Sequence, residues 1–319
     1  MSFSGGKDST VLADLVAQVC QMWNCKLTLW YSDTGLEYPE VREHVKSYPE
    51  YLRKKYGIEV ELIMDYPKDK NGKRLVFKDV VFKYGYPLVS KEVSRDVNAA
   101  KNKPDGKTYQ KFVRGSDYHK KYGDSWLLER WAYLLDAPFK ISNQCCNIMK
   151  KQPAHKFNKE SGLIPLIGIM ASESRLRKKE WLQNGCNAFD NKNPSSRPLS
   201  FWTEQDILEY IKRFNIPYAS VYGEIIEDEK GKLKTTGCDR TGCMFCGFGC
   251  QTEKEPNRFQ RLKETHPKLY NYCINGGGYD KDGVWKPTKQ GLGMGHVLDA
   301  IGVEYREPTE KQIVFDDSI

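Results

Sequence analysis

The sequence predicts an α/β fold in which helices wrap a parallel sheet, followed by a small cysteine-rich C-terminal subdomain. Short apolar segments of strand character alternate with longer segments of helical periodicity, which is the order typical of parallel sheets. From Gly231 onward the composition changes to glycine, cysteine and lysine with little periodicity. We therefore expect two domains, residues 1–225 and residues 226–319.

The elements of the first domain follow from apolar spacing, taken in chain order. Helical spacing or a short apolar run predicts a helix at Thr10–Met22, a strand at Lys26–Tyr31, a helix at Tyr38–Tyr56, a strand at Glu59–Met64, a helix at Cys146–Glu160 and a buried strand at Leu163–Met170. A further helix is predicted at Glu204–Phe214, because Thr203 is a favourable N-cap residue and Asp206 follows three positions later.

Composition restricts the class of protein. Of 319 residues, 39% are hydrophobic and 29% are charged, which is typical of an ordered globular chain. The sequence contains neither an apolar run of about 18 residues nor a leader of the secretory type. We expect a soluble cytoplasmic protein with no membrane partner, in which the ten cysteines do not form a disulfide framework and the clustered ones serve metal ligation.

The sharpest local motif is SFSGGKDST at Ser2–Thr10, where two glycines, a lysine and hydroxyls directly precede the first predicted helix. Glycine lets the backbone approach an anion closely, while free N–H groups at the helix start and a lysine ammonium supply a positive field. The motif therefore predicts a phosphate-binding loop made by Ser4, Gly5, Gly6, Lys7, Asp8 and Ser9.

A basic insert is predicted at about residues 65–125, where 15 basic and 8 acidic residues contribute +7 to the net charge of +8. Such a segment attracts a polyanion such as tRNA or DNA, and its interleaved aromatic rings can stack on unpaired bases. A solvated loop and helix face has the same composition. The candidate nucleic-acid contacts are Lys101, Lys103, Lys107 and Lys111.

Four segments in order resemble one protein family. The loop SGGKDS matches the pyrophosphate loop of the ATP pyrophosphatase superfamily. The remaining three resemble segments of phosphoadenosine phosphosulfate (PAPS) and adenosine phosphosulfate (APS) reductases, and they are YSDTGLEYPE (Tyr31–Glu40), GIMASESRLRK (Gly168–Lys178) and RPLSFWTEQDILEYIKRFNIPY (Arg197–Tyr218). The resemblance implies a Rossmann-like adenine-nucleotide hydrolase fold, with the nucleotide across the carboxyl ends of the strands.

The resemblance also implies roles for matched positions. The loop Ser4–Ser9 would bind the phosphates of ATP or a sulfonucleotide, with Lys7 and Asp8 as catalytic residues and Asp8 available to Mg²⁺. Asp33 and Gly35 would line the adenosine side. Arg175 and Arg177 would act in catalysis by facing the anionic group that is transformed, a task suited to the bidentate guanidinium.

Cysteines cluster in QCCNIM and in GCMFCGFGC. Four thiolates suit either an iron–sulfur cluster or structural zinc, and a compact zinc knuckle could be formed by Cys238, Cys243, Cys246 and Cys250. Adjacent cysteines followed at a distance by C-x-x-C resemble the arrangement that holds a [4Fe–4S] cluster in APS reductases. The resemblance therefore implies the ligands Cys145, Cys146, Cys243 and Cys246.

The function predicted from these motifs is sulfur chemistry that uses an adenine nucleotide. The sequence lacks the ECGLH-type tail that carries the catalytic cysteine of sulfonucleotide reductases, although Cys250 or Cys273 could substitute for it. The same superfamily includes enzymes that adenylate an oxygen with ATP, release pyrophosphate and admit sulfur into tRNA or DNA, and the basic insert favours that group. We expect ATP-dependent sulfur transfer to a nucleic acid with a sulfur-donor protein. The alternatives are sulfonucleotide reduction and, in another class, a zinc-containing nucleic-acid-binding protein.

Overall fold

The computed structural model describes residues 1–113, 128–191 and 193–307. The end of the predicted basic insert, residues 114–125, lies outside these ranges, as do residues 308–319 of the predicted C-terminal domain. The chain divides into two compact units. One comprises Met1–Leu75 and Ile148–Cys243, and the other comprises Val76–Asn147 and Met244–Ile319. These units do not test the predicted domain boundary after residue 225, which stays a prediction.

Helices and short strands alternate along the described residues. The α-helices are α1 Lys7–Trp23, α2 Pro39–Tyr56, α3 Phe77–Tyr84, α4 Lys91–Asn102, α5 Lys107–Val113, α6 Gln144–Cys146, α7 Gln152–Ser161, α8 Arg175–Asn184, α9 Glu204–Phe214, α10 Arg258–Thr265, α11 Pro267–Ile274 and α12 Met294–Asp299. The strands are β1 Leu27–Ser32, β2 Val60–Asp65, β3 Leu88–Val89, β4 Asn187–Ala188, β5 Ser195–Ser196, β6 Ile225–Glu227, β7 Leu233–Thr235, β8 Gly247–Phe248, β9 Gly277–Tyr279 and β10 Trp285–Pro287. The predicted α/β class is confirmed.

The first unit is built on parallel backbone pairing. β1 and β2 pair in parallel, with Leu27 opposite Val60. On the other side of β1 the Phe3 N–H donates to the Trp30 carbonyl at 2.8 Å, and the Ser2 N–H donates to Leu166 at 2.9 Å. Leu166 in turn bridges in parallel to β5. The ends of these segments therefore point the same way, and the loops after Phe3, β1 and β2 leave the same edge of the sheet.

Helices α1 and α2 enclose an apolar core beneath this pairing. The core contains buried aliphatic side chains of both helices together with aromatic rings, and its centre is formed by Phe3, Val11, Leu12, Leu29, Val45, Tyr48 and Leu52. Helix α9 adds Ile207 and Ile211 to the same cluster. The helices predicted at Thr10–Met22, Tyr38–Tyr56 and Glu204–Phe214 and the strands predicted before and after Tyr38–Tyr56 are thereby confirmed.

One apolar run behaves differently from its prediction. Leu163–Met170 is not a buried strand, because only Leu166 forms a bridge and Leu163 and Ile164 are about half exposed, at 50% and 48%. Pro165 has no N–H to donate, and the Ile169 N–H bonds back to Ile167 at 3.0 Å, which turns the chain away from its neighbour.

The second unit has its own short pairings. β3 and β8 pair in parallel, and β9 and β10 form an antiparallel hairpin. Large rings fill its interior, among them Tyr86, whose hydroxyl donates to the Leu292 carbonyl at 2.7 Å. Its largest fully buried side chains are Tyr86, Leu88, Phe112, Leu134, Phe139 and Phe259.

Among the residues described, three hairpins share the same type of turn, which is built on an aspartate. In each, the Asp Oδ1 accepts backbone N–H bonds at 2.8–2.9 Å from residues two and four positions later. A glycine with positive φ lies three positions after the aspartate, as such turns require. The turns are Asp69–Lys73, Asp228–Lys232 and Asp280–Val284.

Among the residues that the structure describes, none of the helices combines the length and apolarity that a bilayer crossing requires.

Candidate functional site

The predicted phosphate-binding loop lies between the end of the Met1–Phe3 segment and the start of α1. Its hydroxyls bond within the loop. Ser4 N–H reaches Ser9 Oγ at 3.2 Å, the two serine Oγ atoms are 3.0 Å apart, and Ser9 Oγ donates to the Gly6 carbonyl at 3.0 Å. The helix begins at Lys7 with no side-chain cap from Gly6, so the N–H groups of its first turn other than that of Lys7 keep their capacity to bind an anion.

Glycine is required at the second loop position. Gly5 has φ of 73°, a region that side chains disfavour. A Cβ atom there would also lie 2.6 Å from a methyl of Val45 and 2.9 Å from a methyl of Val41. The loop is therefore pressed against α2, which holds the backbone in place.

Lys7 is buried at the base of the loop, with only 5% of its surface exposed. Its Nζ lies 3.0 Å from Glu204 Oε1 and 5.0 Å from the centre of the Tyr222 ring. The backbone N–H of Lys7 donates to the Tyr222 hydroxyl at 3.3 Å, and that hydroxyl is 2.7 Å from Thr241 Oγ1. Burial raises the pKa of Tyr222 to about 12, so this hydroxyl stays neutral.

Asp8 faces a group of arginines. Burial raises the pKa of the Asp8 carboxyl, while the positive charges of Lys7 and Arg240 act in the opposite direction. Burial lowers the pKa of Arg177, and the neighbouring charge of Arg240 lowers it further. Arg177 and Arg240 both form ion pairs with Glu173. Two like charges therefore share one carboxylate beside the loop.

Arg197 and the predicted catalytic residue Arg175 differ in their relation to these charges. Arg197 acts on Arg177 through its charge, and its Nε is buried with no hydrogen-bond partner in the described part of the chain. Arg175 lies exposed in the first turn of α8, and no ion pair of Arg175 is found with the residues described. The structure thus brings Arg177 to the loop and leaves Arg175 outside this group.

Asp33 follows β1 directly and is almost fully buried. Its Oδ2 lies 2.7 Å from Arg42 and 3.1 Å from Arg74, whereas its Oδ1 is buried with no hydrogen-bond partner among the described residues. Gly35 has φ of 72°, and nothing lies within 4 Å of where its Cβ would be. The unsatisfied Oδ1 acceptor of Asp33 and the open space at Gly35 each suit the predicted adenosine side.

The predicted cluster ligands belong to both compact units, with Cys243 in the first unit and Cys145, Cys146 and Cys246 in the second. The Cys145 and Cys146 sulfurs are 4.0 Å apart at the start of a helical segment. Near Cys243, Lys150 lies 3.3 Å from Glu37 Oε1, and although burial alone would lower the pKa of Lys150, the charges of Cys243 and Glu37 raise it. Within residues 1–113, 128–191 and 193–307, no three His, Cys, Asp or Glu side chains form a group that could hold a metal ion. The ligand set stays a prediction.

Two thiols outside that set are inaccessible. Cys250 is 2% exposed and donates its thiol to the Gly247 carbonyl at 3.1 Å, and burial raises its pKa to about 12. Cys273 is fully buried, which raises its pKa well above the usual value. Both are neutral thiols that lack the thiolate character of a nucleophile.

The four candidate nucleic-acid lysines lie on or next to α4 and α5 in the second unit. Lys101 donates its ammonium to the Ala137 carbonyl at 2.7 Å, and burial lowers its pKa. Lys103 and Lys107 are exposed, and Lys111 is partly buried. Their contact with nucleic acid stays a prediction, and Lys101 already has a structural role.

Sequence reasoning missed three side chains of this site: Glu204, Tyr222 and Arg240. Glu204 and Tyr222 are separated from Lys7 by 197 and 215 positions, so no local pattern connects them to the loop. Arg240 offered a signal, because the charged pair Asp239-Arg240 stands between Cys238 and the C-x-x-C segment.

Comparison with known proteins relates the segments that form this site to one protein family. The sequence model of the phosphoadenosine phosphosulfate reductase domain matches residues 1–83 and 119–248. The adenosine 5′-phosphosulfate reductase of Staphylococcus haemolyticus (strain JCSC1435) is 30% identical over 87 residues, which are 26% of this chain. The aligned segment spans 32% of that relative. The predicted nucleotide positions and the predicted cluster ligands Cys145, Cys146, Cys243 and Cys246 fall in the matched ranges, whereas Cys250, Cys273 and the four candidate lysines fall outside them.

Proposed function

Because this chain belongs to the phosphoadenosine phosphosulfate reductase domain family, we propose that it is an adenine-nucleotide-dependent sulfur enzyme of the ATP pyrophosphatase type. In this proposal ATP binds at Ser4–Ser9, an acceptor oxygen of a nucleic acid is adenylated, and sulfur from a donor protein then displaces AMP. The observation that carries the proposal is the buried Lys7 at an uncapped helix start, with Arg177 and Arg240 beside it.

Different residues in and near the loop bind different parts of the nucleotide. The first N–H groups of α1 and the Lys7 ammonium bind phosphate oxygens, and Lys7 exchanges its partner Glu204 for the ligand. Asp8 binds Mg²⁺, whose charge favours the ionised carboxylate that burial alone disfavours. The Asp33 Oδ1 atom accepts a hydrogen bond from the nucleoside.

The chemistry requires charge to be stabilised on the leaving group. As the acceptor oxygen bonds to the α-phosphorus, the bond from that phosphorus to the bridging oxygen breaks and pyrophosphate leaves with the electron pair. Arg177 and Arg240 share one carboxylate between two positive charges, so they retain capacity to stabilise the departing anion.

Sulfonucleotide reduction is the second candidate, favoured by the family and by the name of the Staphylococcus haemolyticus relative. That reaction needs a thiolate to attack sulfur. Cys250 and Cys273, the substitutes considered from sequence, are buried neutral thiols, which supports the ATP-dependent reaction as the first choice.

We also propose that a [4Fe–4S] cluster is held by Cys145, Cys146, Cys243 and Cys246. Soft thiolates are the donors that such a cluster takes, and when bound it would supply a site for sulfur or electron transfer. Lys150 stands beside Cys243 and would balance thiolate charge there. The zinc knuckle competes with this proposal, but one of its four thiols, Cys250, donates to a backbone carbonyl.

The test of the nucleotide site is calorimetry of Lys7→Ala with ATP, APS and PAPS. Binding of the true ligand should weaken by roughly 10-fold or more, because a hydrogen bond to a charged group contributes about 1.5–3 kcal/mol. Lys26→Ala is the matched control, since Lys26 pairs with Glu59 and Glu61 away from the loop. Equal binding by wild type and Lys7→Ala contradicts the assignment.

The test of the reaction compares two assays on the anaerobically purified protein. Pyrophosphate release from ATP that is stimulated by tRNA or DNA supports sulfur transfer to a nucleic acid. Release of sulfite from APS or PAPS with thioredoxin, without pyrophosphate release, supports the reductase. A protein that binds nucleic acid and zinc but turns over neither nucleotide would be a binding protein.

A further inference from the structure

We propose that the hairpin Lys68–Arg74 binds the sugar–phosphate backbone of the nucleic-acid acceptor next to the nucleotide site. This inference rests on the proposed function and identifies where its acceptor is held. The hairpin directly follows β2, and therefore leaves the sheet at the edge from which the phosphate-binding loop and Asp33 also leave.

The base of the hairpin is fastened to the nucleotide site. Arg74 Nη2 lies 3.1 Å from Asp33 Oδ2 and 3.3 Å from the Asp33 carbonyl. The Asp33 N–H in turn donates to the Asp65 carbonyl at 2.7 Å, at the end of β2. A polyanion bound along the hairpin would therefore pass beside Asp33 and not at a remote surface.

The tip of the hairpin carries a net positive charge, because two lysines stand against one aspartate. Lys70 and Lys73 are exposed, and neither forms an ion pair with a described residue. The nearby carboxylate of Asp69 accepts backbone N–H bonds inside the turn, so it is committed to the turn. Exposed lysines on a rigid turn bind phosphates with little loss of backbone entropy.

An aromatic ring lies at the base of the same hairpin. Tyr66 is 37% exposed, with the Lys68 ammonium 4.6 Å and the Arg74 guanidinium 5.2 Å from its ring centre. Proteins that bind single-stranded nucleic acid combine cationic side chains, which contact the backbone, with exposed aromatic rings, which stack on unpaired bases.

A second hairpin in the same unit provides a matched comparison. The turn Asp228–Lys232 has the same hydrogen bonds and exposes Lys230 and Lys232. It is flanked by Glu227 and Glu229, and Glu227 pairs with Lys212 at 3.5 Å. The two hairpins thus share their fold and their lysines but differ in acidic neighbours and in the contact with Asp33.

The experiment measures binding of fluorescent duplex DNA and of bulk tRNA by anisotropy across a salt series. Lys70→Gln/Lys73→Gln should reduce the slope of log K against log salt by about 2 for duplex DNA, since each lost phosphate contact removes about 0.9. Lys230→Gln/Lys232→Gln should leave the slope unchanged. Equal slopes for both variants, whether lowered or not, overturn the inference.

Calorimetry with ATP separates this inference from the proposed function. Both double variants should bind ATP as wild type does, because their lysines do not touch the loop. Wild type that binds neither nucleic acid at low salt overturns both proposals. Nucleic-acid-stimulated pyrophosphate release that persists unchanged in Lys70→Gln/Lys73→Gln overturns the proposed role of the hairpin and leaves the proposed function standing. Hairpin-dependent nucleic-acid binding without pyrophosphate release supports the hairpin and contradicts ATP-dependent transfer.

Discussion

Gly5 is held by two separate constraints, its positive φ and the methyl groups of α2. Substitution by alanine therefore strains the backbone and forces a clash with Val45 at 2.6 Å. We expect Gly5→Ala to lower the free energy of unfolding by about 2–4 kcal/mol and to abolish ATP binding. Urea unfolding and calorimetry measure the two effects.

Gly57 is the control for this prediction. It has φ of 66° at the end of α2, but nothing lies within 4 Å of its Cβ position. Gly57→Ala should cost about 1 kcal/mol from backbone strain alone and leave ATP binding intact. Equal losses of unfolding free energy in Gly5→Ala and Gly57→Ala would show that the Val45 side chain moves aside and that the clash contributes nothing.

His44 makes stability depend on pH. It is 7% exposed, its Nε2 lies 3.0 Å from Thr10 Oγ1, and burial lowers its pKa from 6.5 to about 4. Above pH 6.5 both folded and unfolded states keep the ring neutral. As the pH falls from 6.5 to 4 only the unfolded state gains the proton, so about 3 kcal/mol of stability is lost across that window.

The measurement for His44 is urea unfolding at several pH values. His44→Gln should have lower stability throughout, because the ring packs on Tyr48, but a flatter dependence between pH 6.5 and 4. His155→Gln changes an exposed histidine and should keep the wild-type slope. A slope that does not change in His44→Gln would contradict the burial of a neutral ring.

At the scale of the element, helix α9 shows why a cap matters only when the helix is packed. Thr203 and Asp206 form a capping box, with Thr203 N–H donating to Asp206 Oδ2 at 2.7 Å. The helix buries Ile207, Leu208 and Ile211, so fraying of its first turn disturbs the core. We expect Thr203→Ala to lower the free energy of unfolding by about 1 kcal/mol in urea.

Helix α8 is the comparison for this cap. Ser174 caps it by accepting from the Arg177 N–H at 3.3 Å, yet its side chains are exposed or, like that of Arg177, only partly buried. Ser174→Ala should therefore change global stability by only a few tenths of a kcal/mol, since a surface helix can fray without unfolding the unit. Losses of equal size would contradict this reasoning.

At the scale of the whole molecule, the cysteines test the cluster proposal. Single Cys→Ser changes at Cys145, Cys146, Cys243 and Cys246 should each remove the broad visible absorption of an iron–sulfur centre from anaerobically purified protein. Cys20→Ser and Cys186→Ser should retain it. Stoichiometric zinc without iron in metal analysis would reject the cluster and favour the knuckle.

The sequence by itself determined the features that depend on neighbouring residues. The loop Ser4–Ser9, the cap at Thr203 and the alternation of helix and strand could all be predicted, because hydrogen bonding near a helix start and apolar periodicity act over a few positions. The failure at Leu163–Met170 has a local cause as well, since the Ile169 N–H bonds back to the Ile167 carbonyl and the segment pairs with Ser196 only through Pro165 and Ile167.

Only the tertiary structure decided which distant side chains surround the loop. Glu204, Tyr222 and Arg240 reach Lys7 and Asp8 from about 200 positions away. Arg175 and Arg177 both lie in the first turn of α8, yet only Arg177 contributes its charge at Asp8. Likewise, Lys101 has a structural role because its ammonium donates to the carbonyl of Ala137, 36 positions later. Such contacts depend on how buried surfaces pack, and packing is a property of the folded chain that no short segment contains.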